Sequence, residues 1–295
     1  AETLSAYEDK SVLVIDSDAQ ASVSSMLMST TQLYELQSNG LTLVEYRVNT
    51  VLSNDRDEVP RSLVAGVSDV DDAESITLMP SDVQLTLFER EVSHEQRHTQ
   101  LRQAIADLLK QVRPHYDIVL IDCPPGLSVL TESWLREADF HLTPTKPDYI
   151  SSCGLEVFRR FKSLNPEMGF AENLGVVINM KDQMSPADDE YHQWLSKEAD
   201  NRCFETIVPR ASSLQDAARF QAQDRSYPAK YPGAAGKQMR LLVAELLRRM
   251  AGDPVVAPTT EQPSSDVDSA KPDAATATDD PATADDATSK TATAG

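Results

Sequence analysis

The chain has 295 residues, 40% of them hydrophobic and 25% charged, enough for one large α/β domain with a sizeable buried core. No apolar run reaches the ~18 residues of a membrane span, and the first ten residues are mixed polar rather than signal-like. The net charge of −20 excludes a broad basic surface for nucleic acid, so any DNA binding must come from a local cluster. Three cysteines, Cys123, Cys153 and Cys203, read as reduced thiols of a cytoplasmic protein.

In chain order, residues 1–10 are mixed polar and lead at once into a strand-like run. Short apolar runs then read as buried parallel strands: 11–15 (SVLVI), 76–79 (ITLM), 117–121 (DIVLI), 140–143 (FHLT), 174–178 (LGVVI) and 204–208 (FETIV). Between them lie helical patterns. The segment 84–110 places Leu101, Ile105, Leu108 and Leu109 on one face, and 149–164 and 234–250 are amphipathic. Residues 38–75 are less regular, and the acidic stretches 54–58 and 69–74 read as loops on the rim of a site. The alternation predicts an α/β fold: a doubly wound, mostly parallel sheet with helices on both faces, binding ligands at the carboxyl ends of its strands. The domain spans 1–250. The Ala/Thr/Asp/Pro-rich remainder, 251–295, has no aromatic residue and reads as a disordered acidic tail.

Two apolar strands end in aspartate. VLVIDSD ends in Asp16 and Asp18, and IVLIDCPPG places Asp122 before Cys123, Pro124, Pro125 and Gly126. An aspartate after a strand often only caps the next helix, and for Asp18 capping and catalysis are level readings. Two such ends together, one followed by a stiff Pro-Pro-Gly turn, suit Mg²⁺ held through water beside nucleotide phosphates.

The chain resembles the ParA/MinD group of deviant Walker P-loop ATPases, and most of all ParA-type (Soj-like) partition proteins. VLVIDSDAQASVS is similar to a family segment reading roughly VLLIDLDPQGNAT. YDIVLIDCPPGLSVLT is similar to the Walker B and switch region. ITLMPSDVQLTLFE, LTPTKPDYISSCGL, LGVVINMKD, IVPRASSLQDAA and YPAKYPGAAGKQMRLLVAELL follow in the family's order, so the resemblance runs from residue 1 to about 250. It implies ATP and Mg²⁺ as cofactors. It implies that Asp18 orients water, that Asp16 lies near metal and nucleotide, and that Asp122 holds Mg²⁺ through water. Asn179, Met180 and Pro209 fall where the adenine pocket is built; for Asn179, satisfying a loop carbonyl is an equal reading. Ala19 and Ser22 replace the family's Pro and Asn, which predicts slower or altered hydrolysis.

The family's Gly-rich phosphate loop, about GGxGKT, does not occur in the sequence. The resemblance therefore implies a strand, the loop and half a helix, roughly 20–30 residues, ahead of Ala1. The alternative is a natural pseudo-ATPase. For the complete protein the resemblance implies an ATP-dependent homodimer that is cytoplasmic and nucleoid-associated. It would bind DNA without sequence preference and be stimulated by a ParB-like adaptor. Lys237 and Arg240, with Arg219, Arg225, Arg248 and Arg249 nearby, are candidate DNA contacts, a solvated helix face being the equal alternative. The end TSKTATAG is not an amphipathic membrane anchor. A positioning ATPase for another cargo (a secretion or chemotaxis cluster, or a cellulose synthase complex) and a non-catalytic interaction protein on the same fold remain open.

Overall fold

The computed structural model describes residues 1–47, 51 and 59–252. The acidic stretch 54–58 and all but two residues of the expected tail lie outside them.

Helix α1 (Glu2–Glu8) leads into β1 (Val12–Asp16), whose five residues are all buried. Helices α2 (Ser22–Leu27), α3 (Thr30–Ser38) and α4 (Leu43–Arg47) follow, then the short β2 (Val64–Ala65) and β3 (Ile76–Met79). Strand β1 pairs in parallel with β3, from Val12↔Ile76 to Ile15↔Met79. On its other side it pairs in parallel with β4 (Ile118–Asp122), from Val12↔Ile118 to Asp16↔Asp122. Strand β2 adds an antiparallel edge beside β3.

Side-chain alternation along β1 builds a core on each face of this sheet. Leu13 and Ile15 join the core formed by α4, α5 (Leu85–Val92), α6 (Glu95–Val112) and α7 (Val129–Glu137). Val12 and Val14 join the opposite core, with Leu4 of α1, Leu27, Leu33, Tyr227 and Val243. A strand buried on both faces reads as an unbroken apolar run, which is why VLVI was legible.

The expected single sheet is divided. Strands β5 (Phe140–Thr145) and β6 (Glu172–Ile178) form a second, two-stranded parallel ladder, and the four-stranded sheet is ordered β2-β3-β1-β4. Among the described residues no ladder joins β4 to β5. Four of the five β4 residues are accordingly only half-buried, where β1 is wholly enclosed.

Helix α8 (Tyr149–Leu164) has the expected bounds, and the Asp148 carboxylate caps it by accepting from Ser151 N–H at 2.8 Å. Helix α12 (Ala234–Met250) also matches; α9 (Pro186–Lys197), α10 (Ser212–Ala217) and α11 (Tyr227–Lys230) fill the interval. The predicted 84–110 helix is two, α5 and α6. At the break Ser93 Oγ donates to the Glu89 carbonyl at 2.6 Å and His94 turns extended. The four residues expected on its inner face are all buried, none above 4% exposure.

The predicted strand 204–208 is not a strand. Phe204 N–H and Val208 N–H do bond to the β6 carbonyls of Val176 and Ile178. The intervening amides of Glu205 and Thr206 instead donate to the Glu245 carboxylate, both at 2.9 Å. Arg249 takes the Arg202 and Cys203 carbonyls, so side chains of α12 replace a ladder. Arg202 O also explains Gly175: at φ +129 any Cβ there would lie 2.1 Å from that oxygen. Nor is the 69–74 stretch a rim loop throughout, because Asp69 is completely buried. Its carboxylate accepts from Lys230 at 2.6 Å, Arg225 at 2.9 Å and Gln221 N–H at 2.9 Å.

Candidate functional site at the carboxyl ends of the strands

The parallel register of β1 and β4 sets Asp16 and Asp122 side by side at the carboxyl end of the sheet. The chain leaving β1 is pinned there: Ser17 N–H donates to the Asp122 carbonyl at 2.8 Å, and the buried Trp134 indole donates to Ser17 Oγ at 2.7 Å.

The three carboxylates differ in what surrounds them. Asp16 is fully buried. It accepts from Ser24 N–H at 2.8 Å, Ser24 Oγ at 2.6 Å and Asp18 N–H at 3.2 Å, so protein donors hold both its oxygens. Burial nonetheless raises its pKa, against those hydrogen bonds. Asp18 is half-buried; one oxygen accepts from Gln20 N–H at 2.9 Å, and the other takes no donor among the described residues. Asp122 is half-buried and its carboxylate takes no hydrogen bond among the described residues. Its pKa is pushed up to about 6, first by burial and then by the charges of Asp16 and Asp18.

Sequence reasoning missed Ser24, which joins the Asp16 carboxylate to the Ser81 amide at 3.2 Å and so binds the end of β1 to the chain beyond β3. Ser22, which stands at the family's Asn position, is exposed and has no side-chain partner among the described residues. The signal for Ser24 was its hydroxyl at the Thr position of the family segment. Ala21 was also missed. It caps α2 at φ +50, in the left-handed region, where that segment carries Gly.

Asn179, Met180 and Pro209 come together at the end of β6. Asn179 N–H donates to Thr145 O, and its side-chain carbonyl accepts from Met180 N–H at 2.9 Å. Met180 is left-handed at φ +54 and 44% exposed. Lys181 bridges to Pro209 in parallel. No hydrogen bond among the described residues links this group to the three aspartates.

Of the basic candidates, Lys237 and Arg240 are exposed on α12, with Arg240 stacked 5.0 Å from the Tyr7 ring centroid. Arg249 does not belong with them. It is buried, paired with Glu245 at 2.7 Å and lies over the Phe204 ring. Arg225 is turned inward to Asp69.

A mostly parallel sheet covered on both faces, with aspartates at adjacent strand ends, defines a doubly wound α/β fold with an acidic strand-end site, and the comparisons place it with the ParA/MinD-type P-loop ATPases. The family described as an AAA domain (AAA_31) matches residues 1–169, more than half of the chain, and the chain belongs to that family. It is 26% identical over 245 residues to the chromosome partitioning protein ParA of Caulobacter vibrioides, covering 79% of this chain and 80% of the relative. The structure of apo McdA from Cyanothece superposes with a TM-score of 0.63 at 18% identity, over 83% of this chain and 94% of that one. Cobyrinic acid a,c-diamide synthase from Mycobacterium smegmatis, with bound ADP and magnesium, gives 0.62 at 19%, over 88% and 91%. At these identities the structural likenesses establish the fold.

Proposed function

We propose that the chain supplies the metal and water side of a ParA-like ATP hydrolase acting in plasmid or chromosome partition. One observation carries the reading. Asp122, beside Asp16 and Asp18 at the strand ends, is a carboxylate without a protein donor among the described residues, its pKa raised first by burial and then by its acidic neighbours. A divalent cation removes that repulsion. Mg²⁺ keeps much of its own water shell, so a single carboxylate such as Asp122 can hold it through water. When bound, Mg²⁺ neutralises phosphate charge.

Asp16, saturated by Ser24 and Asp18, fixes the turn and adds charge behind the site. Asp18 keeps one oxygen free to orient the attacking water. Asn179, Met180 and Pro209 form the adenine side, with the exposed Met180 offering an apolar surface to a base. The homodimer, the ParB-like adaptor and non-specific DNA contact through Lys237 and Arg240 belong to the same reading, supported by the partition relatives and by the exposure of those two cations.

The test is magnesium-dependent ATP turnover by the natural gene product. Asp18→Asn is expected to lower it about 10²-fold or more, and Asp122→Asn to raise the magnesium requirement. Wild-type turnover by both variants would overturn the assignment. No phosphate-cradling loop is among these 295 residues, so by themselves they are expected not to turn over ATP, and clear turnover by them would also overturn it.

A further inference from the structure

Away from the aspartates, an open cavity of about 510 Å³ lies between α8 and the β5–β6 ladder, within the size range of small-molecule sites. Lys162 lines it together with Arg159 and Arg160. The ammonium sits 3.2 Å from His141 Nε2 and 5.6 Å from the Phe158 ring centroid. His141 is 9% exposed, and its Nδ1 lies 2.9 Å from the Ala171 carbonyl. That carbonyl can only accept, so Nδ1 carries the proton and Nε2 presents its lone pair to Lys162. Burial foremost, and then the Lys162 charge, lower the His141 pKa to about 4, so the ring is neutral at pH 7.

Lys162 is thus a half-buried cation partnered by neutral rings, with no ion pair among the described residues. Arg159, one turn earlier on the same face of α8, also lines the cavity. Its ion pairs, to Glu198 at 3.8 Å and Asp200 at 3.6 Å, and its hydrogen bond to Asn201 Oδ1 at 3.4 Å are all long, and the ion pairs are partly exposed. Ser163 Oγ donates to the Arg160 carbonyl at 2.9 Å and Asn173 Nδ2 to the Asp200 carbonyl at 3.2 Å, and the lining acids are Glu156 and Asp200. A cation drawn partly out of water without a counter-ion is a costly arrangement that an anion relieves.

We propose that this cavity is a second ligand site, separate from the strand-end aspartates, which takes a phosphate-bearing small molecule on Lys162 and Arg159. A phosphate group offers several acceptor oxygens, matching two cations one helical turn apart.

The test is calorimetric titration of pyrophosphate into the full chain with EDTA present, which removes any metal-dependent binding at the aspartates. Saturable binding is expected. Lys162→Met should weaken it at least about tenfold, the loss of one charge-assisted contact, whereas Lys162→Arg should hold it within a few-fold and Asp122→Asn should leave it unchanged. A readout that needs no variant is the His141 imidazole nitrogen resonances, which should move on saturation as Lys162 turns to the anion. No saturable binding, unweakened binding by a folded Lys162→Met variant, or static His141 resonances at saturation would each overturn the proposal.

Discussion

Two carboxylate clusters in this chain have opposite surroundings. Glu2 and Asp69 are buried, and each finds its charge answered. Lys230, 3% exposed, lies 2.5 Å from Glu2 and 2.6 Å from Asp69, Arg225 completes Asp69, and the Tyr231 hydroxyl donates to Glu2 at 2.5 Å. Among the described residues Asp16, Asp18 and Asp122 have no cation among their partners, and Asp122 has no protein donor. The first cluster closes on itself and ties α1 to the chain around α11. The second accumulates negative charge where two strands end. Carboxylates answered by cations report on folding, and carboxylates left facing one another report on a ligand the protein still has to bind.

The largest expected effect breaks the closed cluster. Lys230→Met leaves Glu2 and Asp69 buried around a missing charge and should cost about 3–5 kcal/mol, read as a lower urea midpoint. At the open cluster the sign reverses. Because the Asp122 pKa is raised from 3.8 to about 6, its ionisation carries a penalty that is absent below about pH 4 and complete above about pH 6. Asp122→Asn should therefore stabilise the metal-free protein at pH 7 by about 1 kcal/mol, after discounting for screening of a half-exposed group. The gain should vanish in unfolding measured at pH 4. Equal effects at both pH values would place Asp122 with the closed cluster. The smallest effect concerns the turn beside it. Ala21→Gly removes a left-handed alanine and should add about 1 kcal/mol or less, the entropy of glycine offsetting part of the relief. Thermal melting can resolve it.

Much of the fold was legible because burial on both faces leaves a plain trace. The VLVI run of β1 is an uninterrupted apolar segment, and β3 is broken only by the buried Thr77. Helices α8 and α12 have one apolar face each, and their bounds matched. The segment 204–208 looked like the same kind of run, yet its amides go to Glu245 and its neighbouring carbonyls to Arg249, residues some forty positions away. The acidic stretch at 69–74 misled for a similar reason, since composition marks Asp69 as a surface residue and only Lys230 and Arg225 make its burial tolerable. In the site, the strand-end aspartates were visible and the partners that distinguish them were not.

The sequence by itself determined β1 and β3 to β6, the order of the motifs and the three acidic positions, because apolar runs and strand-end residues are local properties of the chain. Tertiary structure alone decided which charges are answered. It enclosed Asp69 and Arg249, saturated Asp16 through Ser24 and left Asp122 without a donor. Pairing depends on groups brought together from distant parts of the chain, and the cost of a buried charge is set by those neighbours rather than by the residue that carries it.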